Sequence, residues 1–116
     1  MNTENLSDNI ISINDLSFAR TFSEDEAINL VPVFLRISRA TKKEINQLTS
    51  QLEVFKGQPE KRDLFQGKIN IATQKWSEKM RRLGAIPAGP FKVKLSLEKG
   101  YGDCVWEFPK DQLYKI

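Results

Sequence analysis

The chain has 116 residues, which is enough for one domain with a core of modest size. Hydrophobic residues make up 40% and charged residues 28%, as in soluble globular proteins, and no apolar run approaches the roughly 20 residues that cross a bilayer. There is no histidine, and Cys104 is the only cysteine, which excludes Ser-His and Cys-His nucleophile pairs, intrachain disulfides and most zinc sites. We therefore expect a cytoplasmic protein that has no cofactor and does not enter a membrane.

The net charge of +3 hides an asymmetry along the chain. Residues 1–30 carry one basic and six acidic side chains, a net of −5, whereas residues 31–116 carry 17 basic and nine acidic ones, a net of +8. Residues 1–19 resemble neither a signal peptide nor a transit peptide, so we predict a mobile acidic arm before a single domain at residues 20–116. Only Ile10, Ile11 and Ile13 in that arm suit a short strand. The acidic arm and basic body together either attract anions or shield each other.

The central element is a long helix predicted from about Glu24 to Lys56. Ser23 and Glu26 form a capping-box pattern, in which each side chain bonds the other residue's backbone amide. Pro32 removes a backbone donor inside the helix and is expected to bend it. From Thr41 onward the apolar spacing of about 3.5 residues is typical of packing against another helix. The apolar seam comprises Ala27, Leu30, Phe34, Ile37, Thr41, Ile45, Leu48, Leu52 and Phe55.

A second helix is predicted from about Glu60 to Leu83. Pro59 suits its first position, and Gly84 supplies the left-handed residue that ends it. Its apolar face contains Phe65, Ile69, Ala72, Trp76, Met80 and Leu83. The connection between the helices is so short that they must lie antiparallel, which leaves residues 24–32 as an overhang.

The C-terminal part alternates like a pair of strands. Apolar residues occupy every second position in two runs, with a turn at Gly100 and Gly102 between them. These residues are Phe91, Val93, Leu95 and Leu97, then Cys104, Trp106 and Phe108. Two strands alone are marginal in water, so we expect them to pack on the overhang with Trp106 and Phe108 as the main buried mass. The predicted fold class is α+β: a long antiparallel two-helix hairpin followed by a C-terminal β-hairpin packed on the helical overhang.

These residues resemble a known family. The opening Arg20, Thr21, Phe22 and Ser23, followed by Glu26-Ala27, Leu30 and Pro32, is similar to the start of the bacterial family catalogued as domain of unknown function 2203. The ending of the second helix at Leu83-Gly84 and the stretch Cys104-Val105-Trp106 are similar too, so the resemblance covers about residues 20–108. Family members tend to have a Trp-His pair after the strands, which this chain lacks. The resemblance implies architecture and bacterial origin, and it brings no catalytic residues because the family has no assigned activity.

The polar residues offer no catalytic set. Glu24, Asp25 and Glu26 are explained by the first helical turn, where the helix dipole favours negative charge. Glu107 follows Trp106 and is expected to face solvent, and Cys104 shares the face of Trp106, where a free cysteine behaves as a small apolar residue. Acid–base catalysis needs paired groups in a cleft, so we predict that the protein is not an enzyme.

Basic side chains form two stripes that could neutralise the phosphates of a nucleic acid. The residues are Arg36, Arg39 and Lys43 on the first helix and Lys61, Lys68, Lys75, Lys79 and Arg82 on the second. The competing interpretation is favoured: their methylene stems cover the apolar seam, and some pair with Glu44 across the hairpin. Exposed aromatic residues for base stacking are not evident.

Two functions follow from this pattern. The favoured one is a non-catalytic module that self-associates as a homo-oligomer, preferably a dimer, or docks on another protein. Its motivation is that several apolar residues lie off the mutual seam of the two coiled helices, and pairing two hairpins into a four-helix bundle would bury them. These residues are Val31, Val33, Leu35, Val54, Leu64 and Ile71. The alternative is an accessory nucleic-acid-binding protein that uses the basic stripes.

Overall fold

The computed structural model describes residues 20–116 and confirms an α+β fold with a helical hairpin. The arm predicted for residues 1–19, with its strand-prone Ile10, Ile11 and Ile13, lies outside the described residues. The elements in chain order are β1 (Thr21–Phe22), α1 (Glu24–Val54), α2 (Pro59–Arg82), β2 (Ile86–Gly89), β3 (Lys92–Leu97), a 3-10 turn (Glu98–Gly100), β4 (Asp103–Glu107) and β5 (Tyr114–Lys115).

The capping box predicted for α1 is present. The Ser23 hydroxyl oxygen accepts from the Glu26 amide at 3.2 Å, and Glu26 Oε1 accepts from the Ser23 amide at 2.9 Å. These bonds satisfy amides that have no partner inside the helix. The helix runs through Pro32 and ends at Val54, two residues before the predicted end.

The second helix begins at Pro59 as predicted and ends one residue early, at Arg82. Gly84 follows with φ +91, in the left-handed region that favours glycine. A β-carbon there would lie 2.9 Å from side-chain atoms of both Arg20 and Phe22. Glycine is therefore required twice, by the backbone turn and by the close approach of β1.

The sheet is larger than the predicted β-hairpin. The antiparallel pair of β3 and β4 matches the prediction, with Val93 opposite Trp106 and Leu95 opposite Cys104. The other edge of β3 is shared: β2 pairs antiparallel with its first half, and β1 pairs parallel with its second half. β5 pairs antiparallel with β4 at the far edge. The result is a five-stranded mixed sheet, because three short strands add to the hairpin.

The core lies where this sheet covers one end of the helical hairpin. Phe34 of α1 packs its ring 5.5 Å from that of Trp106, and Trp76 of α2 lies 5.3 Å from Phe91. The buried cluster comprises Phe22, Ala27, Val31, Phe34, Trp76, Met80, Ala85, Val93, Leu95, Leu97, Cys104 and Trp106. The sheet thus covers the overhang of α1, as expected, and also the end of α2.

Two buried-residue predictions need correction. Phe108 is only half-buried, because it follows the last residue of β4, whereas Trp106 is fully buried. Val31 was predicted to lie off the mutual seam and to need a second copy as cover. It is only 5% exposed, because the sheet covers it within the same chain.

Candidate interaction site

The hairpin divides into two halves with different surroundings. We call the end that carries the sheet, residues 24–41 and 72–82 of the helices, the proximal half. Residues 42–71, which include the connection, form the distal half. Every buried residue of the two helices lies in the proximal half, and none lies between 42 and 71. In the distal half the seam residues Ile45, Leu48, Leu52, Phe55, Phe65 and Ile69 remain half-buried.

Large apolar side chains are exposed on the outside of the distal half. Val54 is 70% exposed, Leu64 57% and Ile71 54%. These three belong to the set predicted to lie off the seam, and their exposure agrees with that prediction. Val33 and Leu35, from the same set, are half-buried in the proximal half. The distal half therefore keeps most of the apolar surface that the helices do not bury against each other.

The two basic stripes lie on the surface. All eight predicted members are exposed: Arg36, Arg39, Lys43, Lys61, Lys68, Lys75, Lys79 and Arg82. None of the ion pairs formed within residues 20–116 includes a stripe residue, and none includes Glu44, so the predicted pairing with Glu44 is wrong. On α2, two stripe residues make cation–π contacts with seam rings: the ammonium of Lys61 lies 4.8 Å from the ring centroid of Phe55, and that of Lys68 lies 5.3 Å from the ring centroid of Phe65.

The stripe on α1 borders a groove of about 480 Å³, which we call the basic groove. Arg39 and Lys43 line it together with Lys42 and the half-buried ring of Phe108. The rest of its lining is polar, from Asn46, Gln47 and Ser50, and no residue of α2 takes part. Two residues of the α1 stripe, Arg39 and Lys43, therefore line the same groove, and no residue of the α2 stripe lines it.

Sequence reasoning missed Lys42. Its ammonium lies 5.3 Å from the ring centroid of Phe91, which follows the second helix by several residues. Lys42 follows Arg39 by three residues, so helical spacing alone would place it on the same face as Arg39 and Lys43. Only the position of the sheet against α1 brings Lys42 and Phe108 to the same groove.

A second cavity, of about 340 Å³, lies between the start of α1 and the C-terminal strand. Glu24 and Lys115 form an ion pair of 3.1 Å beside it. Its lining is mainly apolar and includes Ala27, Ile28, Val31, Leu97, Cys104 and Leu113. No pattern in the sequence predicts this cavity, because residues 111–115 reach α1 only through the pairing of β5 with β4.

Three ionisable groups within residues 20–116 have pKa values shifted from their ordinary range. Burial, together with the negative charge of Asp103, raises the pKa of the Cys104 thiol, so the reactive thiolate form is disfavoured. The Glu26 carboxylate lies in the cap, where the backbone amide of Ser23 donates to it and lowers the pKa of Glu26. Glu107 is half-buried and accepts from the Tyr114 hydroxyl at 3.3 Å, and the pKa of Tyr114 is raised by desolvation and by that carboxylate.

Over residues 20–116, no three acidic or cysteine side chains cluster in a way that would hold a metal ion. In the same range, neither helix has the length and apolar character that a membrane span needs. Comparison of the chain with known proteins finds no matching family model, no matching curated protein and no matching solved structure.

Proposed function

We propose that this protein is a non-catalytic interaction module that self-associates through the distal half of its helical hairpin. The observation that carries the proposal is the contrast in burial: none of residues 42–71 is buried, although their seam has helix-packing spacing. Each helical segment there has about 13 residues, and isolated helices of that length are marginal in water. A second hairpin, paired with the first as a four-helix bundle, would cover the apolar residues exposed on the outside of this half.

Burial of the exposed apolar side chains would favour association. Full burial of one leucine or isoleucine contributes about 1.5–3 kcal/mol, and Leu64 and Ile71 are still 57% and 54% exposed. Burial of what remains exposed, in each of two copies, would therefore offset part of the entropy lost on association. A closed dimer with two-fold symmetry is the commonest way to bury the same patch on identical chains. We also propose that the protein is bacterial and cytoplasmic, and that it belongs to the family of unassigned activity that residues 20–108 resemble.

Native molar mass measured by light scattering over a concentration series tests self-association. We expect about twice the 13.3 kDa of one chain, and a shift to monomer in the Leu64→Glu/Ile71→Glu variant. Ile116→Glu is the matched control, because Ile116 is 78% exposed but lies outside the distal half. A wild type that stays monomeric at high concentration would refute self-association, whether or not it binds a dye specific for apolar surface.

The basic groove favours a second candidate, binding to a nucleic-acid backbone. Arg39, Lys42 and Lys43 converge beside the ring of Phe108, which combines phosphate neutralisation with an aromatic edge. Binding of a labelled single-stranded oligonucleotide, followed by anisotropy, should weaken with salt. The slope of log affinity against log salt should be roughly −2 for three neutralised phosphates, at about −0.7 each.

Two variants separate the groove from the α2 stripe. Arg39→Glu/Lys43→Glu should abolish oligonucleotide binding if the groove is the site, whereas Lys68→Glu/Lys75→Glu/Arg82→Glu should leave binding intact. The reverse result would assign binding to α2. Equal binding by both variants and the wild type would eliminate the nucleic-acid function.

A further inference from the structure

The outer face of α2 contains a glycine that the chain itself does not explain. Gly67 lies inside the helix, where glycine is less favourable than alanine by about 1 kcal/mol. A β-carbon at Gly67 would meet nothing within 4 Å, so no neighbour in the chain requires its absence. Leu64 precedes it by three residues and Ile71 follows by four, which puts all three on one face of the helix. A glycine between exposed apolar residues allows another helix to approach closely.

The same face carries opposite charges at its two ends. Glu60 lies four residues before Leu64, and Lys75 lies four residues after Ile71. Both are exposed, and within residues 20–116 neither takes part in an ion pair. The order along the helix is thus acidic, apolar, glycine, apolar, basic. This order becomes complementary to itself when a second copy runs in the opposite direction.

We infer that two copies of this chain pair through α2 in antiparallel orientation, with Gly67 at the crossing. Leu64 packs on the partner's Ile71, and Glu60 pairs with the partner's Lys75; two-fold symmetry makes each contact occur twice. The inference rests on the proposed self-association and adds the face, the direction and the register. Lys68, beside the crossing, does not obstruct it, because its ammonium is held over the ring of Phe65.

Other arrangements of the same face are less favourable. A parallel pair would place Glu60 against Glu60 and Lys75 against Lys75, and like charges repel. An antiparallel pair shifted to bring Ile71 against its own copy would place Leu64 opposite Glu78. A shift the other way, which brings Leu64 against its own copy, would place Ile71 opposite Gly57, outside both helices. The register centred between Gly67 and Lys68 pairs both apolar and both charged residues.

Disulfide trapping tests the register. An equimolar mixture of Leu64→Cys and Ile71→Cys chains should form a disulfide-linked dimer under mild oxidation. Neither variant should do so alone, because identical positions are offset by seven residues, about 10.5 Å along the axis, and a disulfide needs α-carbons within about 7 Å. The matched control mixes Asp63→Cys with Ile71→Cys, since residue 63 points about 100° away from residue 64. Wild type controls for Cys104, which is 3% exposed.

Charge reversal gives an independent measurement. Glu60→Lys should weaken dimerisation on the order of tenfold, because it converts two ion pairs into two repulsive contacts, and Glu60→Lys/Lys75→Glu should restore it. Trapping of either cysteine variant alone would indicate parallel pairing and overturn the inference. A wild-type dimer whose mixture is not trapped would overturn this face and leave self-association standing. A monomeric wild type would refute both.

Discussion

In the proximal half of the hairpin, α1 contributes five buried residues and α2 three, whereas residues 42–71 contribute none. The apolar spacing is continuous through both halves of α1, so periodicity does not account for the difference. What differs is the third layer. The sheet lies over the proximal half and closes the space between the helices. Within residues 20–116, only Phe91 and Phe108 at the edge of the sheet reach the distal half, beside Lys42 and the basic groove.

Two helices without a third layer bury their contact residues only in part. Two helices share one line of contact, and residues on that line remain half-exposed from both sides, as Leu48 and Leu52 do. A layer across the line converts half-burial to burial, as it does for Phe34, which is fully buried under Trp106. Folding stability is therefore concentrated in the proximal half, and the distal half is the part of the hairpin suited to a partner.

The largest loss of stability is expected from removing the aromatic residue at the centre of the proximal half. Trp106→Ala should lower the free energy of unfolding by about 3–5 kcal/mol, because the indole is fully buried and leaves a cavity. It also leaves the Lys110 carbonyl without the indole N–H donor, now at 2.7 Å. Chemical denaturation followed by circular dichroism measures the loss.

Leu52→Ala is the matched control in the distal half. Its side chain is half-buried, so we expect a loss below about 1.5 kcal/mol at concentrations where the protein is monomeric. A loss as large as that of Trp106→Ala would contradict the division into two halves.

Much of this architecture is predictable from local signals. The capping pattern at Ser23 and Glu26, the proline at position 59 and the glycine at position 84 fix the helix ends to within two residues. Strict alternation over Val93 and Leu95 identifies the central strand. Each of these signals acts within a few residues of chain and needs no knowledge of what lies across the fold.

The remaining elements depend on distant parts of the chain. β1 has two residues and β5 has two, too few for any periodicity, and each forms only because a neighbouring strand offers an edge. The basic groove requires Phe108 to reach α1, and the burial of Val31 requires the sheet to cross the overhang. Helical spacing groups Arg39, Lys42 and Lys43 on one face, but it cannot show which cations share a groove.

A smaller effect is expected at the polar contact between the helices. Ser38 is buried, and its hydroxyl oxygen accepts from the indole N–H of Trp76 at 2.8 Å. Ser38→Ala should lower the free energy of unfolding by about 1–3 kcal/mol, because the indole N–H is then buried without a partner. The Trp76→Phe background separates the causes: most of the effect of Ser38→Ala should disappear once the donor is absent. An unchanged loss there would show that packing, and not the hydrogen bond, is responsible.

The capping box tests how far the proximal half depends on the start of α1. Ser23→Ala removes the acceptor for the Glu26 amide and should lower the free energy of unfolding by about 1 kcal/mol. Ser50→Ala is the control, because that hydroxyl bonds the Asn46 carbonyl inside the distal part of α1 and is exposed. We expect almost no change there, and equal losses would show that the cap has no special role.

The smallest effect is the dependence of stability on pH that comes from Glu26. Its pKa is lowered in the folded protein, chiefly by the Ser23 amide, so folding is favoured while the carboxylate is charged. This contribution is fully present above the unfolded pKa, about 4.3, and is lost as the pH falls through the lowered folded value. Denaturation curves between pH 7 and pH 3 should therefore show a smaller decline for Glu26→Gln than for the wild type, because glutamine does not titrate. Identical declines in the two proteins would show that the cap carboxylate does not contribute to the acid sensitivity of the fold.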